Sequence, residues 1–115
     1  IASYEADPRP KVYITIAGRS NALSGMVDAQ VSAPVIACPP PSDAFGGADI
    51  FSSLRMPSGV APAVVLDPAG AALVAAKIFG LRDSTIQDRV KQQQQQLADH
   101  LVQEDNELQQ TRQPR

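Results

Sequence analysis

A short polar segment near the start of the chain, Gly18-Arg19-Ser20-Asn21-Ala22, has the residue types of an anion site. Gly18 permits backbone angles that are closed to other residues, and Ser20 can cap a following helix, which leaves amide N–H groups free to donate. Arg19 adds a fixed positive charge. The β-branched run before Gly18 predicts a strand, and open α/β proteins bind ligands at the carboxyl ends of their strands. We therefore expect Gly18, Arg19, Ser20, Asn21 and Ala22 to surround an anion.

Three successive strand–helix units are expected to position this segment. Their strand-type runs are apolar on both faces and recur about every two dozen residues, which is typical of a parallel sheet covered by crossover helices. The predicted strands are 11–17, 33–38 and 61–66, and the predicted helices are 20–32, 48–55 and 68–79. Three strands would make a poor sheet, so further strands are expected from a preceding segment or another chain. The expected fold class is α/β, a three-layer α/β/α sandwich with a flavodoxin-like parallel sheet.

Local signals mark where the helices begin and end. On the first helix, apolar residues recur at helical spacing at Leu23, Met26, Val27 and Val31. Asp67 is expected to cap the third helix, Pro68 to occupy its first turn and Gly80 to end it. A last helix is expected to start from a cap at Asp83 or Ser84.

The last helix carries an apolar stripe that a small sheet cannot cover. The stripe is broken by five glutamines, residues 92–96, which are interpreted as a solvated face. Because an unpaired apolar stripe in water is unfavourable, we expect the helix to project and to pack on a neighbouring subunit. The stripe comprises Ile86, Val90, Leu97, Leu101 and Leu108.

Composition narrows the class of protein. Ten Lys and Arg against twelve Asp and Glu give a net charge of −2, which argues against nucleic acid or an anionic membrane as the main partner. The single cysteine, Cys38, excludes an internal disulfide and follows a buried strand without a base partner, so a packed thiol is favoured over a nucleophile. Spaced Cys and His ligands for a metal are missing. A cytoplasmic location is expected.

Three segments resemble the aminoimidazole ribonucleotide (AIR) carboxylases of purine biosynthesis, in the same order and spacing. They are Ala17-Gly18-Arg19-Ser20-Asn21-Ala22-Leu23-Ser24-Gly25, Ile36-Ala37-Cys38-Pro39-Pro40-Pro41-Ser42-Asp43 and Ser52-Ser53-Leu54-Arg55-Met56-Pro57-Ser58-Gly59. The resemblance covers roughly residues 2–110. Three separate motifs in register argue against chance similarity. It implies interconversion of AIR plus carbon dioxide with 4-carboxy-5-aminoimidazole ribonucleotide, a carbon–carbon lyase reaction without a cofactor. It also implies a homo-octamer with pockets shared between subunits.

The first loop separates two classes within this family. One class, a mutase of the N-carboxylated nucleotide, has a Gly-Gly-Ala-Ala-His-Leu-Pro type of loop. The segment Arg19-Ser20-Asn21-Ala22-Leu23-Ser24 lacks that histidine and resembles the class that uses carbon dioxide directly. The mutase remains an alternative.

The resemblance also exposes a gap. Family members carry a Gly-Ser-x-Ser-Asp type loop for phosphate and ribose, and a Ser-Ala-His loop whose histidine moves the proton; neither motif occurs in this sequence. The single histidine, His100, lies on the last helix and is interpreted as a surface residue. The resemblance therefore assigns no catalytic residue to this chain. It is expected to be one domain, 1–115, incomplete at its N-terminus, with a helix tail and linker (1–10), β–α units (11–80), an oligomerisation helix (81–110) and a disordered tail (111–115).

The resemblance extends the pocket to two further loops, and each assignment has a structural alternative. Asp43 and Phe45 could close over the ring or form a plain surface turn, and Arg55 could complete a neighbour's pocket or close a helix. Arg19 could neutralise a phosphate or carboxylate or pair across an interface, and Ser20 could donate to a carboxylate as well as cap the helix. The pocket-loop residues are Pro41, Ser42, Asp43, Phe45, Arg55, Met56 and Pro57.

A hypothesis from another class competes with the enzyme. The chain could be a catalytically silent assembly or nucleotide-binding module that keeps the sheet and the projecting helix without the phosphate and histidine loops. A generic flavodoxin-like nucleotide binder is a third hypothesis, but it would not explain three matching motifs.

Overall fold

The computed structural model describes residues 1–17, 22–40 and 54–112. In chain order these residues form α1 (Ala2–Glu5), β1 (Tyr13–Thr15), α2 (Ala22–Asp28), β2 (Val35–Ala37), β3 (Ala63–Val64), α3 (Pro68–Gly80) and α4 (Ser84–Arg112). The chain divides into two compact units, Ile1–Ala75 and Ala76–Arg115. The predicted helix at 48–55 lies outside the described residues except for its last two.

The sheet of the first unit is parallel. Within the described residues its strand order is β1-β2-β3, with Ile14 opposite Ile36 and Ile36 opposite Ala63. Helix α2 lies between β1 and β2 in the chain and packs on β2. The predicted α/β class with a parallel sheet is confirmed.

Each strand is shorter than its predicted range, and prolines set several of the limits. Pro34 precedes β2, Pro39 follows it closely and Pro62 immediately precedes β3. Proline has no backbone N–H to donate to a strand ladder, so regular pairing begins after it. Apolar composition alone overestimated the strands for this reason.

The core is centred on β2, whose residues Val35, Ile36 and Ala37 are all buried, as is Cys38 beyond them. Val27 of α2 and Ala71 of α3 are also buried. The flanking strand β1 is covered less completely, because Ile14 is 41% exposed and Ile16 is 63% exposed. The expectation that the runs are apolar on both faces and covered on both sides therefore holds for β2 but not for β1.

Helix α2 differs from its predicted form in length and in its buried side. It ends at Asp28, and the Gln30 side-chain amide donates to the Met26 carbonyl at 3.0 Å, which satisfies one of the carbonyls that a helix end leaves free. Of the predicted apolar stripe Val27 is buried, whereas Leu23 and Met26 are exposed, and the polar Ser24 is buried beside Val27.

The predicted start of α3 is realised by Asp67. Its carboxylate accepts from the Gly70 amide at 3.3 Å, and its carbonyl accepts from the Ala71 amide at 2.9 Å. The helix ends at Gly80, as expected. This glycine packs against the start of α4, since a Cβ built on it would lie at van der Waals distance, 3.4 Å, from the Gln87 Cα.

Helix α4 begins at an Asp83 cap, which resolves the choice between Asp83 and Ser84. The Asp83 carboxylate accepts from the amides of Thr85 at 3.0 Å and Ile86 at 3.3 Å. The helix runs for 29 residues, or about 43 Å, to Arg112. It therefore extends two residues beyond its predicted end, and Thr111 and Arg112 are helical, not part of a disordered tail; residues 113–115 lie outside the described range.

Candidate active site

The carboxyl ends of the strands lie side by side. The Cys38 amide donates to the Thr15 carbonyl at 2.8 Å, and the Val65 amide donates to the Ala37 carbonyl at 2.9 Å. Just beyond them, the Cys38 thiol contacts the Leu66 carbonyl at 3.6 Å. The points from which the chain leaves β1 and β2 toward the first two motif loops are thus neighbours at this edge.

The third motif packs against the helix of the first motif. A Cβ built on Gly25 would lie 3.4 Å from the Met56 Sδ and 3.9 Å from the Val60 Cγ1. An alanine Cβ would still make an ordinary contact here, but a larger side chain at this position would meet Met56 and Val60.

A hydrogen bond fixes the same packing at the other end of α2. The Asp28 carboxylate accepts from the Ala61 amide at 2.7 Å, across 33 positions of sequence. An acidic residue in the last turn of a helix is unfavourable against the helix dipole, which indicates that this carboxylate has a specific partner. We name residues 55–61 the clamp segment; Gly25 and Asp28 hold it on α2.

The predicted site residues divide into those that the structure describes and those that it does not. Ala22 is the first residue of α2 and is exposed; Arg55 and Pro57 are exposed and Met56 is half-buried in the clamp segment. The structure brings Met56 against Gly25 of α2, three residues along from Ala22. The predicted site residues outside the described range are Gly18, Arg19, Ser20, Asn21, Pro41, Ser42, Asp43 and Phe45.

Three residues of this region had not been singled out from the sequence. Gly25 and Asp28 could have been recognised from the sequence, because a glycine inside a helix and an acidic residue at a helix C-terminus are both unusual. Nothing in the sequence distinguishes Thr15. It ends β1 and is 7% exposed, and its hydroxyl has no hydrogen-bond partner among the described residues. A buried hydroxyl usually has a partner, so Thr15 is added to the candidate residues at this edge of the sheet.

A pocket lies at the amino end of β1, at the other edge of the sheet from the motif loops. It is an open pocket of about 410 Å³ whose lining includes Tyr4, Arg9, Lys11 and Tyr13. Partial burial, together with a 2.7 Å hydrogen bond donated to the Glu5 carboxylate, raises the pKa of Tyr13 to about 12. Because parallel α/β sheets bind ligands at their carboxyl edge, we do not assign the reaction to this pocket.

The single histidine pairs with a carboxylate of its own helix. His100 is exposed on α4, and its Nε2 lies 2.9 Å from the Glu104 carboxylate. Among the described residues, no cluster of three or more His, Cys, Asp or Glu side chains could hold a metal ion. Within the same residues, no helix is long and apolar enough to cross a membrane.

The parallel sheet and the packing of the third motif on the helix of the first define an α/β protein with a candidate site at the carboxyl edge. Residues 1–100 match the family model described as AIR carboxylase. The chain belongs to the AIR carboxylase family, as the three motifs predicted.

Two relatives and one solved structure give the extent of the likeness. The chain is 59% identical over 108 residues to the phosphoribosylaminoimidazole carboxylase of Treponema denticola, covering 94% of this chain and 68% of the relative. It is 56% identical over 104 residues to the enzyme of that name from Archaeoglobus fulgidus, covering 90% of this chain and 58% of the relative. The crystal structure of Treponema denticola PurE superposes with a TM-score of 0.91 at 60% identity, over 93% of this chain and 68% of that chain. The predicted flavodoxin-like fold class is confirmed.

Proposed function

We propose that the protein interconverts AIR plus carbon dioxide and 4-carboxy-5-aminoimidazole ribonucleotide in de novo purine biosynthesis. The observation that carries this function is the match of residues 1–100 to the AIR carboxylase family, together with relatives at 56–59% identity that bear the name phosphoribosylaminoimidazole carboxylase. The enzyme would be a carbon–carbon lyase, and the cytoplasmic location predicted from the sequence is retained as part of the proposal. The substrates are small molecules.

The reaction makes few demands on the protein. The electron-rich ring carbon of AIR attacks carbon dioxide, a carbon–carbon bond forms, one C=O π pair moves onto oxygen to give the carboxylate, and a proton then leaves the ring carbon. The ring amino group supplies the electron density, so no cofactor is required. The protein must hold the gas beside the ring, stabilise the developing carboxylate and accept one proton.

We assign the carboxylate to the loop Gly18 to Ala22. The Ser20 hydroxyl and nearby backbone amides would donate to it, and Arg19 would supply positive charge. The clamp segment supports this assignment, because its packing on Gly25 and Asp28 keeps the third motif next to the helix that follows the loop. Asp43 and Phe45 would come from the second motif, and Arg55 would serve the pocket of an adjacent subunit in a homo-octamer.

The class that uses carbon dioxide directly is favoured over the mutase. The first loop contains Arg19 and Ser20 where the mutase loop has its characteristic histidine-containing sequence, and the relatives reported above are named carboxylases. The test is to supply the protein with AIR and carbon dioxide in one reaction and with N5-carboxyaminoimidazole ribonucleotide in another. Product from the first mixture is expected; turnover of the second alone would assign the mutase.

The carboxylate assignment has its own test in Ser20→Ala. Loss of one preorganised donor is expected to lower turnover by on the order of a hundredfold. A role confined to helix capping would instead lower stability by about 1 kcal/mol and leave turnover nearly unchanged. Ser84→Ala, at the exposed first position of α4, is the control; Ser24 is unsuitable because it is fully buried. Equal, small losses of activity in both variants would place the carboxylate elsewhere.

One observation favours a second candidate, a nucleotide-binding or assembly module without catalysis. The sequence has one histidine, and His100 is exposed and paired with Glu104 on α4. Calorimetric titration with AIR, followed by an assay for carboxylated product, separates the two functions. Binding of AIR without any turnover in either direction would favour the module.

A further inference from the structure

The pocket at the amino end of β1 is built from one short stretch of chain. Its lining comes from residues 4–13, which run from the end of α1 into β1 and belong to the first compact unit. Its volume of about 410 Å³ lies within the usual range of small-molecule sites, about 300–1,000 Å³. The candidate active site takes no residue from this stretch, so the two regions are separate.

Asp7 holds the loop of this pocket in a fixed shape. Its carboxylate accepts from the Arg9 backbone amide at 2.9 Å and from the Arg9 Nε at 3.0 Å. Its carbonyl accepts from the Lys11 ammonium at 2.6 Å, and Pro8 and Pro10 restrict the backbone between these residues. Both cations are therefore placed before a ligand arrives, which lowers the cost of binding one.

The positive charge of the pocket is only partly neutralised. The Asp7 carboxylate pairs with Arg9, whereas Lys11 has no ion-pair partner among the described residues. A hydrogen bond to a neutral carbonyl leaves the Lys11 ammonium its charge and two further N–H donors. Arg9 keeps its Nη1 donors, since its hydrogen bonds to Asp7 use Nε and Nη2. An anion with several oxygens can accept from both side chains.

Two aromatic rings line the same pocket. Tyr4 of α1 is 65% exposed, and Tyr13 of β1 is half-buried, with its hydroxyl bonded to Glu5. An exposed aromatic ring is a surface on which a planar base can stack, and it accepts every base because each base has a π face. The pocket thus combines a stacking surface with an anion site.

We propose that this pocket binds a nucleoside monophosphate, with its phosphate on Lys11 and Arg9 and its base on Tyr4. A phosphate monoester carries a charge of about −1.5 to −2 at neutral pH and three acceptor oxygens, which suits two cations that keep free donors. An inorganic anion would leave the ring of Tyr4 uncovered, and a neutral ring would leave Lys11 unpaired. The binding needs no substrate of the proposed reaction and is independent of it.

Tyrosine fluorescence reports on this pocket alone, because the chain has no Trp and its two Tyr residues both line the pocket. AMP is expected to quench the emission in a saturable way. Adenosine lacks the phosphate and ribose 5-phosphate lacks the base, so each should need a concentration at least about tenfold higher. Free N-acetyltyrosinamide, titrated with the same compounds, corrects for light that the base absorbs. The absence of saturable quenching by AMP, or equal quenching by either half of the molecule, would overturn the proposal.

Equilibrium dialysis of labelled AMP against variants of the full chain locates the site. Lys11→Met keeps an apolar stem and removes the charge, so AMP should bind at least about tenfold more weakly. Lys91→Met, which removes an exposed charge from α4, is the matched control. Equal weakening in the two variants would show that only the overall charge matters and would refute the site.

The same measurement distinguishes this pocket from the carboxyl edge of the sheet. Ser20→Ala changes the loop to which the carboxylate of the proposed reaction is assigned, and AMP should bind to this variant as it does to the parent chain. Loss of AMP binding in Ser20→Ala, with full binding in Lys11→Met, would place the nucleotide at the carboxyl edge and contradict the proposal.

A pair of substitutions at Tyr4 tests the stacking. Tyr4→Phe keeps an aromatic ring and should bind AMP as the parent chain does, whereas Tyr4→Ala should bind it at least about tenfold more weakly. Because the side chain is 65% exposed, neither change is expected to disturb the fold, and circular dichroism checks this. Equal affinities in all three chains, or equal losses in both variants, would exclude a base stacked on this ring.

Discussion

Gly25 and Asp28 of α2 both contact the clamp segment, which includes most of the third motif. Gly25 leaves room for Met56, and Asp28 binds the Ala61 amide at 2.7 Å. Neither residue needs to touch substrate for its replacement to matter. Both act by fixing the clamp segment, so they are positioning residues in the proposed enzyme.

We expect Gly25→Leu to displace the clamp segment because its side chain would occupy the space of the Met56 thioether. The predicted result is a fall of about 10- to 100-fold in kcat/KM for AIR, since small displacements of positioning groups have effects of that size. Gly25→Ala is the matched control. Its Cβ would make an ordinary contact at 3.4 Å, and alanine favours helix by about 1 kcal/mol. Unchanged kcat/KM in the leucine variant would show that the clamp segment does not serve the pocket.

Tyr13 makes the stability of the chain sensitive to alkaline pH. Its pKa is raised from 10.0 to about 12, chiefly by burial and then by the hydrogen bond to Glu5, so the folded state holds the phenolic proton more tightly than the unfolded state. The contribution of protonated Tyr13 to the free energy of unfolding is therefore complete below pH 10 and is lost as the pH rises through about 12.

Denaturation midpoints at about pH 8 and about pH 11 measure this effect. Tyr13→Phe should lose less stability between the two values than the parent chain. Tyr4→Phe, which removes the hydroxyl of an exposed tyrosine, should behave like the parent. If the denaturation midpoints of the parent chain and of Tyr13→Phe depended on pH in the same way, Tyr13 would not be the source of the alkaline sensitivity.

At the scale of elements, the caps are the features that local sequence specifies best. Asp83 accepts from two amides at the start of α4, which satisfies donors that a helix otherwise leaves free. Asp83→Ala is expected to destabilise α4 by about 1 kcal/mol, measured as a lower midpoint of thermal loss of helix content. Asp88→Ala removes an equal charge further along the helix and should have a smaller effect. A larger effect from Asp88→Ala would mean that charge, and not capping, stabilises the helix start.

Proline limits the length of the strands. The apolar runs at 33–38 and 61–66 each contain a proline before the observed strand, at Pro34 and Pro62. The ladder begins after each proline because a residue without an N–H cannot donate to its neighbour. The result is a sheet of short strands, in which β2 alone of the described strands is buried throughout.

At the scale of the whole molecule, β1 exposes apolar surface. Ile14 and Ile16 are 41% and 63% exposed, and in the described residues β1 pairs on one side with β2. Because strand edges of this kind template association, we expect the 115-residue chain by itself to assemble poorly or to aggregate. Size-exclusion chromatography measures this outcome, and a stable, soluble octamer of the chain would contradict it.

A single charge should reduce that aggregation if the strand is its source. Ile16→Lys places a charge at the end of β1, where natural sheets use lysine to prevent pairing between edges. Leu81→Lys is the control, since Leu81 is 81% exposed in the link between α3 and α4. Equal recovery of soluble protein from both variants would assign the aggregation to general hydrophobicity.

The sequence by itself determined the elements and the family. Caps at Asp67 and Asp83, and the end of α3 at Gly80, depend on interactions within a few residues, so local sequence is sufficient to predict them. The parallel sheet followed from apolar runs separated by helix-length connections. The three motifs identified the family because their residues and order are preserved in the sequence itself, without reference to any fold.

Only the tertiary structure decided which surfaces meet. Helical spacing predicted an apolar stripe on α2. Its member Val27 is buried, yet Leu23 and Met26 are exposed and the polar Ser24 is buried, because burial depends on what the rest of the chain places against the helix. The Asp28–Ala61 hydrogen bond and the Gly25–Met56 contact join residues about thirty positions apart. Periodicity predicts which residues share one face of a helix or strand. Which other element packs on that face depends on the path of the chain between the elements, and that path is determined by packing of the whole unit.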